Sequence, residues 1–273
     1  MELSDSVLDH LRQVAALPDL SGTRYELECE IGRGGLGVVY RVRDRDLDRR
    51  VALKVVDAAL AGEAKLIARL EHPAVVPVYE SGTLPDGRTF YAMKLVGGAR
   101  LDKYVETGHS MGERLRVVRR VGEALAFAHS RGVIHRDLKP QNVMVGEFGE
   151  VYVMDWGVEA VAGTPGFRAP EARLDERSDI YALGALLRFA LRDGAPAAMN
   201  AITDKAMSVD PARRYGSVTE LLEDVGRFEE GAAVLAWREP WWHRVKRVGE
   251  RNAVLLWLLA AYVVVKFLVV WVR

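Results

Sequence analysis

The run His135-Arg136-Asp137-Leu138-Lys139-Pro140-Gln141-Asn142 places a carboxylate, an ammonium and a carboxamide within six positions. Phosphoryl transfer asks a protein for those three groups: a base for the attacking hydroxyl, a cation beside the moving phosphate, and an oxygen ligand for magnesium. Taken alone, the run also fits a charged surface turn. Upstream, Ile31-Gly32-Arg33-Gly34-Gly35-Leu36-Gly37 carries glycines at 32, 34 and 37. There the backbone can come close to a polyphosphate and present amide N–H donors. A dinucleotide fold would need a helix directly after such glycines. Val38-Val39-Tyr40-Arg41-Val42 alternates instead, as a strand does. This favours a glycine hairpin folded over ATP.

Val51-Ala52-Leu53-Lys54 follows the glycines, and Asp155-Trp156-Gly157 and Ala169-Pro170-Glu171 follow the catalytic run. Five motifs in this order resemble the signature set of protein kinases. Over roughly residues 25 to 230 the chain resembles the eukaryotic-like serine/threonine protein kinases of bacteria. Lys139 and the stretch Gly163-Thr164-Pro165-Gly166 look like the serine/threonine branch rather than the tyrosine branch. Small-molecule phosphotransferases share the fold but usually lack the Lys-Pro-x-Asn continuation.

The resemblance implies an α+β, two-lobed protein-kinase fold: a small antiparallel sheet lobe with one helix, then a larger helical lobe. It implies Mg2+ and ATP in the cleft and a protein substrate. Lys54 would contact the α- and β-phosphates, held by Glu63. Asp137 would accept the substrate proton, and Lys139 would offset charge on the transferred group. Asn142 and Asp155 would present oxygens to magnesium. The adenine would lie near Ile31, between Val39 and Ala52 above and Met144 below, with Met93 as gatekeeper and the backbone of Lys94 and Val96 reading the purine edge. Thr164 would shape the hydroxyl pocket. Arg214 would pair with Glu171 structurally, where a bidentate guanidinium matters.

The chain departs from that pattern at three places. Lys54 and Glu63 are only nine positions apart. The segment 158–163 has no Ser, Thr or Tyr to accept a phosphate beside Arg136, and Glu159 is a candidate stand-in. Between Leu191 and Ala201 little remains where relatives usually place a substrate-docking helix. These shortages define the alternative: a nucleotide-binding pseudokinase acting as a membrane scaffold.

Periodicity marks the elements that hold these residues. Tyr25–Ile31, Val38–Arg43, Arg50–Val55, Val75–Gly82 and Phe90–Val96 read as five antiparallel strands, with one helix around Glu63–Leu70. Leu115, Val118, Val121, Leu125 and Ala128 share a helical stripe, as do Ile180, Leu183, Leu187 and Ala190. Ser217-Val218-Thr219-Glu220 reads as a capping box. Residues 4–17 read as an amphipathic helix packing on the small lobe within an extension spanning 1–24.

Of 273 residues, 49% are hydrophobic and 28% charged, enough for one large core or two lobes. The formal net charge is zero but unevenly spread: residues 241–273 carry six basic residues against Glu250, a net +5, so the remainder carries −5. A nucleic-acid patch explains this less well than the next segment, and no nucleic-acid partner is expected. Residues 253–272, AVLLWLLAAYVVVKFLVVWV, hold one charge in twenty positions. At about 1.5 Å per residue such a helix spans about 30 Å, the hydrocarbon thickness of a bilayer. Lys266 near its far end can snorkel to the interface. A single transmembrane helix is expected there, behind a basic, aromatic juxtamembrane segment at 231–252. Its basic flank favours the cytoplasmic side for a kinase domain at the cell membrane, with only Val272 and Arg273 emerging opposite. Ala260 and Ala261 could serve a homodimer or a membrane partner. No signal-peptide pattern opens the chain, and Cys29 is the sole cysteine, so no internal disulfide is expected.

Overall fold

Five strands build the first lobe of the computed structural model: β1 (Tyr25–Gly34), β2 (Gly37–Asp44), β3 (Arg49–Val56), β4 (Val78–Thr83) and β5 (Thr89–Lys94). They pair antiparallel in the order β1-β2-β3-β5-β4. The residues described are 17–34, 37–56, 66–156, 166–171, 174–192 and 194–240, with Tyr262 and Trp271. Alternation along the strands sorts this sheet into two apolar faces. Val51, Leu53 and Val55 of β3 join Tyr40, Val42, Phe90 and Ala92 in the outer cluster. Ala52 and Val56 join Tyr91, Met93 and the partly buried Val39 on the inner face. Lys54, between Ala52 and Val56, therefore shares the inner face.

Two strand limits differ from the sequence reading. β4 starts at Val78, because Pro77 has no N–H to give the ladder; its carbonyl accepts from the Lys94 N–H at 3.1 Å. Val75 instead forms a parallel bridge with Val153 in the other lobe. β5 stops at Lys94, so Val96 lies in a segment outside both sheets that leads to Gly98, where φ is +108°. The expected helix around Glu63–Leu70 is described only from Leu66. Leu66 and Ile67 are helical, and i to i+3 bonds then tighten the chain into a turn. The expected helix over 4–17 lies outside the described residues except for Leu17.

The second lobe holds α1 (Leu101–Glu106), α2 (Met111–His129), α3 (Glu176–Leu191), α4 (Ala197–Ala206) and α5 (Val218–Glu229). A second sheet, β6 (Ala99–Arg100), β7 (Val143–Val145) and β8 (Val151–Val153), was not anticipated. The two helical stripes read from periodicity are buried at every position, in a core shared by α2 to α5. Ser110 and Glu113 cap α2 reciprocally. At α5 the reciprocity fails: Ser217 Oγ accepts from Glu220 N–H at 3.2 Å, but the Glu220 carboxylate takes the N–H of Gly216, at 2.8 Å.

Only residues 192–196 separate α3 from α4, so four of the residues counted in the short stretch after Leu191 already belong to α4. The packing also runs past residue 230, the expected end of the domain. Val234 is buried, and Ala236 and Trp237 pack on the same core. Among the described residues no helix is long and apolar enough to cross a membrane. The expected span at 253–272 lies outside them apart from Tyr262 and Trp271, both helical and exposed.

Candidate active site

The cleft between the lobes brings one cation from the first to one carboxylate from the second. Lys54 Nζ lies 2.8 Å from Asp155 Oδ1 and 5.7 Å over the Tyr91 ring. Register puts Lys54 opposite Val39 on β2 and Tyr91 on β5, so three strands fix its Cα. It is only 4% exposed. A buried ammonium needs an anionic partner, and Asp155 supplies one. Glu63, its expected partner, lies outside the described residues.

Asp155 follows β8 with φ of +57°, and Arg136 has φ of +70°. Non-glycine residues seldom occupy this region, and both positions here stand at the centre of the cluster. A buried carboxylate holds Arg136 in place. Asp179, 1% exposed near the start of α3, accepts the His135 N–H at 2.8 Å and the Arg136 N–H at 3.0 Å. His129 Nε2 stands 2.8 Å from the same carboxylate. Asp179 was missed in the sequence.

His135 is fully buried and stacks obliquely on Trp156, with centroids 4.8 Å apart. Its Nε2 lies 3.0 Å from the Met154 carbonyl, and its Nδ1 accepts the Asp137 N–H at 3.3 Å. That pattern requires the neutral tautomer with hydrogen on Nε2. Burial also pushes the imidazole below its ordinary pKa of 6.5. Trp156, wholly buried, satisfies its indole N–H on the Val153 carbonyl at 2.9 Å.

The three groups of the catalytic run converge. Lys139 Nζ is 2.6 Å from Asp137 Oδ2, and Asn142 Nδ2 reaches Asp137 Oδ2 at 3.2 Å and the Asp137 carbonyl at 2.8 Å. The Asn142 carbonyl accepts from Met154 N–H at 2.9 Å, so this loop and the approach to Asp155 share backbone bonds. With Nδ2 committed to Asp137, Asn142 has Oδ1 to offer a cation. Among the described residues no cluster of three or more His, Cys, Asp or Glu forms a closed cage. An amide oxygen and one carboxylate fit magnesium, which retains waters and takes its remaining ligands from phosphates.

The residues expected around a nucleotide are more mixed. Val39, Ala52, Met93 and Val96 fall in one apolar cluster on the inner face. Met154 joins them, a lining residue that the sequence reading overlooked. Met144 is half-buried on β7, and alternation turns it away from the core side taken by Val143 and Val145. Ile31 is 46% exposed at the end of the first lobe's sheet. Lys94 has its N–H on Pro77, so any purine contact must come through its carbonyl. Its ammonium bonds the Tyr152 hydroxyl. Of the glycines, Gly37 is required by the fold itself: φ is +136°, and a Cβ would meet the Val55 carbonyl at 2.3 Å. Gly34 has no atom near a would-be Cβ, and Gly32 has none closer than 4.0 Å, which leaves room for a ligand.

Thr164 lies outside the described residues. Beyond it, Glu171 meets Arg214 in a bidentate pair, both contacts at 2.7 Å. Burial tends to raise the Glu171 carboxyl, and the guanidinium more than offsets it, leaving its pKa below the ordinary value. Arg214 also donates to the carbonyls of Arg177 and Ser208, each at 2.8 Å.

Residues 25–213 match the family of protein kinase domains, and the chain belongs to that family. It is similar to the serine/threonine-protein kinase PknD of Chlamydia trachomatis (serovar D), 30% identical over 298 positions that cover 76% of this chain and 32% of that protein. The serine/threonine-protein kinase pkn3 of Myxococcus xanthus is 38% identical over 200 positions, covering 60% of this chain and 37% of its own length. PknD of Protochlamydia amoebophila is 28% identical over 295 positions, covering 76% and 30%. The chain spans about a third of the length of these curated relatives.

Proposed function

We propose that the chain is a serine/threonine protein kinase that transfers the γ-phosphoryl group of ATP to a protein hydroxyl and is tethered to a membrane. The observation that carries the transfer is the convergence of Lys54 on Asp155, beside a loop in which Asp137, Lys139 and Asn142 already touch. Lys54 orients the nucleotide's phosphates. Asp137 Oδ2 is held by Lys139 and Asn142, which leaves Oδ1 to orient the incoming hydroxyl and take its proton. As the hydroxyl oxygen bonds to phosphorus and the bond to ADP breaks, the Lys139 ammonium offsets charge on the moving group. Asn142 Oδ1 and Asp155 would hold magnesium, which when bound neutralises phosphate charge. Arg214 steadies Glu171, and with it the end of the segment where a substrate would lie. Val39, Ala52, Met93, Met144 and Val96 line the adenine side.

Membrane attachment rests on the sequence of 253–272 with its basic flank, and it puts the kinase domain on the cytoplasmic face. Alkaline extraction of membranes carrying the full chain tests this. The reading expects the chain to stay in the pellet and a chain cut after Pro240 to leave it.

For the transfer itself, labelled ATP and a generic basic protein separate the enzyme from a scaffold. Asp137→Ala should lower incorporation by about 10²- to 10⁴-fold. Equal incorporation by both proteins favours the pseudokinase scaffold.

A further inference from the structure

Asp224 on α5 is 1% exposed, yet no salt bridge to a cation explains its burial among the described residues. Its carboxylate is instead filled by three neutral donors. Oδ1 accepts the Leu235 N–H at 2.7 Å; Oδ2 accepts the Ala236 N–H and the Tyr215 hydroxyl, each at 2.9 Å. Charged acceptors make strong bonds of this kind, and losing one donor from a buried site is costly. The chain beyond α5 thus returns to the lobe: the Ala232 N–H caps the Arg227 carbonyl at 2.7 Å, and Val234 enters the core.

The third donor gives this latch its reach. Tyr215 is 2% exposed and directly follows Arg214, the residue that grips Glu171. Burial pushes the Tyr215 hydroxyl upward, so it stays a proton donor across the working pH range. Lys205 lies over the face of the ring, with Nζ 4.0 Å from the centroid. One continuous set of contacts therefore runs from residues 235–236 through Asp224 and Tyr215 to Arg214 and Glu171. Nothing in the reaction uses Asp224 directly.

We infer that residues 232–237 are a positioning element of the catalytic lobe. Through Asp224 and Tyr215 they set Arg214, and through Arg214 they set the Glu171 end of the substrate segment. The inference rests on the kinase reading only for its effect on catalysis. Its structural part, the coupling of residues 235–236 to 166–171, stands apart from that reading.

Coupling along such a network is demonstrated by perturbing one end and reading the other. Tyr215→Phe removes the linking hydroxyl and keeps the ring. In the full chain, hydrogen exchange should then quicken by roughly threefold to tenfold at the amides of 166–169 and 171. Exchange in α2 should stay as it was, and Asp224→Asn should reproduce the pattern. In phosphotransfer assays the same variants should raise KM for the protein substrate and leave KM for ATP unchanged. Faster exchange confined to 232–237 would overturn the inference. So would a rise no larger at 166–171 than in α2, because that would be general loosening. If no variant and no wild-type protein transferred phosphate, the kinase reading would fail, while the exchange result would still decide the coupling.

Discussion

Two clusters of charge in this molecule have nearly the same contact distances and opposite character. At an exposed part of the five-stranded sheet, on the same face as Lys54, Glu28 holds Arg41 at 2.7 Å and Arg50 at 2.9 Å. Around the catalytic loop, Lys139 meets Asp137 at 2.6 Å and Lys54 meets Asp155 at 2.8 Å. Arg41 and Arg50 are about half exposed, and exposed pairs contribute little. In the inner cluster, Lys54 is buried, and Arg136 and Asp155 sit in the left-handed region. The exposed charges satisfy one another. The inner ones hold a loop in a costly shape and leave oxygens directed to other partners. Pair distance alone does not separate a surface network from a site. Burial, backbone strain and incomplete mutual satisfaction do.

The comparison can be broken first at Asp179. The N–H groups of His135 and Arg136 go to different oxygens of this carboxylate, so replacing it with Asn puts an N–H₂ group against one of these two donors. Asp179→Asn should cost about 2–4 kcal/mol in urea unfolding and lower phosphotransfer at least tenfold at temperatures where the protein stays folded. Unfolding unchanged within error would mean that the loop is not held from α3.

A middle-sized effect follows from His135. Burial lowers its pKa, so between the ordinary value of 6.5 and the lower folded value the unfolded chain binds more protons. Stability should be full above about pH 6.5 and fall as the pH drops below it, by at most about 1.4 kcal/mol per pH unit for this group. His72, lowered mainly by burial, adds in the same direction. Urea midpoints from pH 8 to 5.5 should decline in the wild type and flatten in His135→Phe, leaving the share due to His72. An equally steep decline in the variant would remove His135 from the account.

The smallest effect belongs to the Glu28 cluster. Glu28→Gln should leave the melting temperature and the phosphotransfer rate indistinguishable from wild type. A marked loss of either would show that Arg41 and Arg50 do more than pair.

The candidate site residues were legible because phosphoryl transfer would demand particular groups at close spacing, and because five short motifs occur in one order. The five-stranded sheet was legible too, since a period of two puts Ala52, Lys54 and Val56 on one face and Val51, Leu53 and Val55 on the other. Asp179 was hidden in plain view. An acidic residue in the first turn of a helix is ordinary on electrostatic grounds, so nothing marked this one as an acceptor for a distant loop. Asp224 was hidden similarly, inside an amphipathic helix whose polar positions look solvated. β6, β7 and β8 are two or three residues long, too short for alternation to register. The return of residues 232–237 to the core was masked by the basic, aromatic stretch that follows. The limit of β4 turned on one missing N–H, at Pro77.

In the proposed kinase a single cleft gathers a cation and two oxygen ligands around one nucleotide. Its most direct test is the affinity for ATP, measured with and without Mg2+, in the wild type and in Asp155→Asn. Mg2+ should tighten ATP binding to the wild-type chain, and this gain should disappear in the variant. An equal Mg2+ effect in both proteins, or no ATP binding by the wild type, would contradict it.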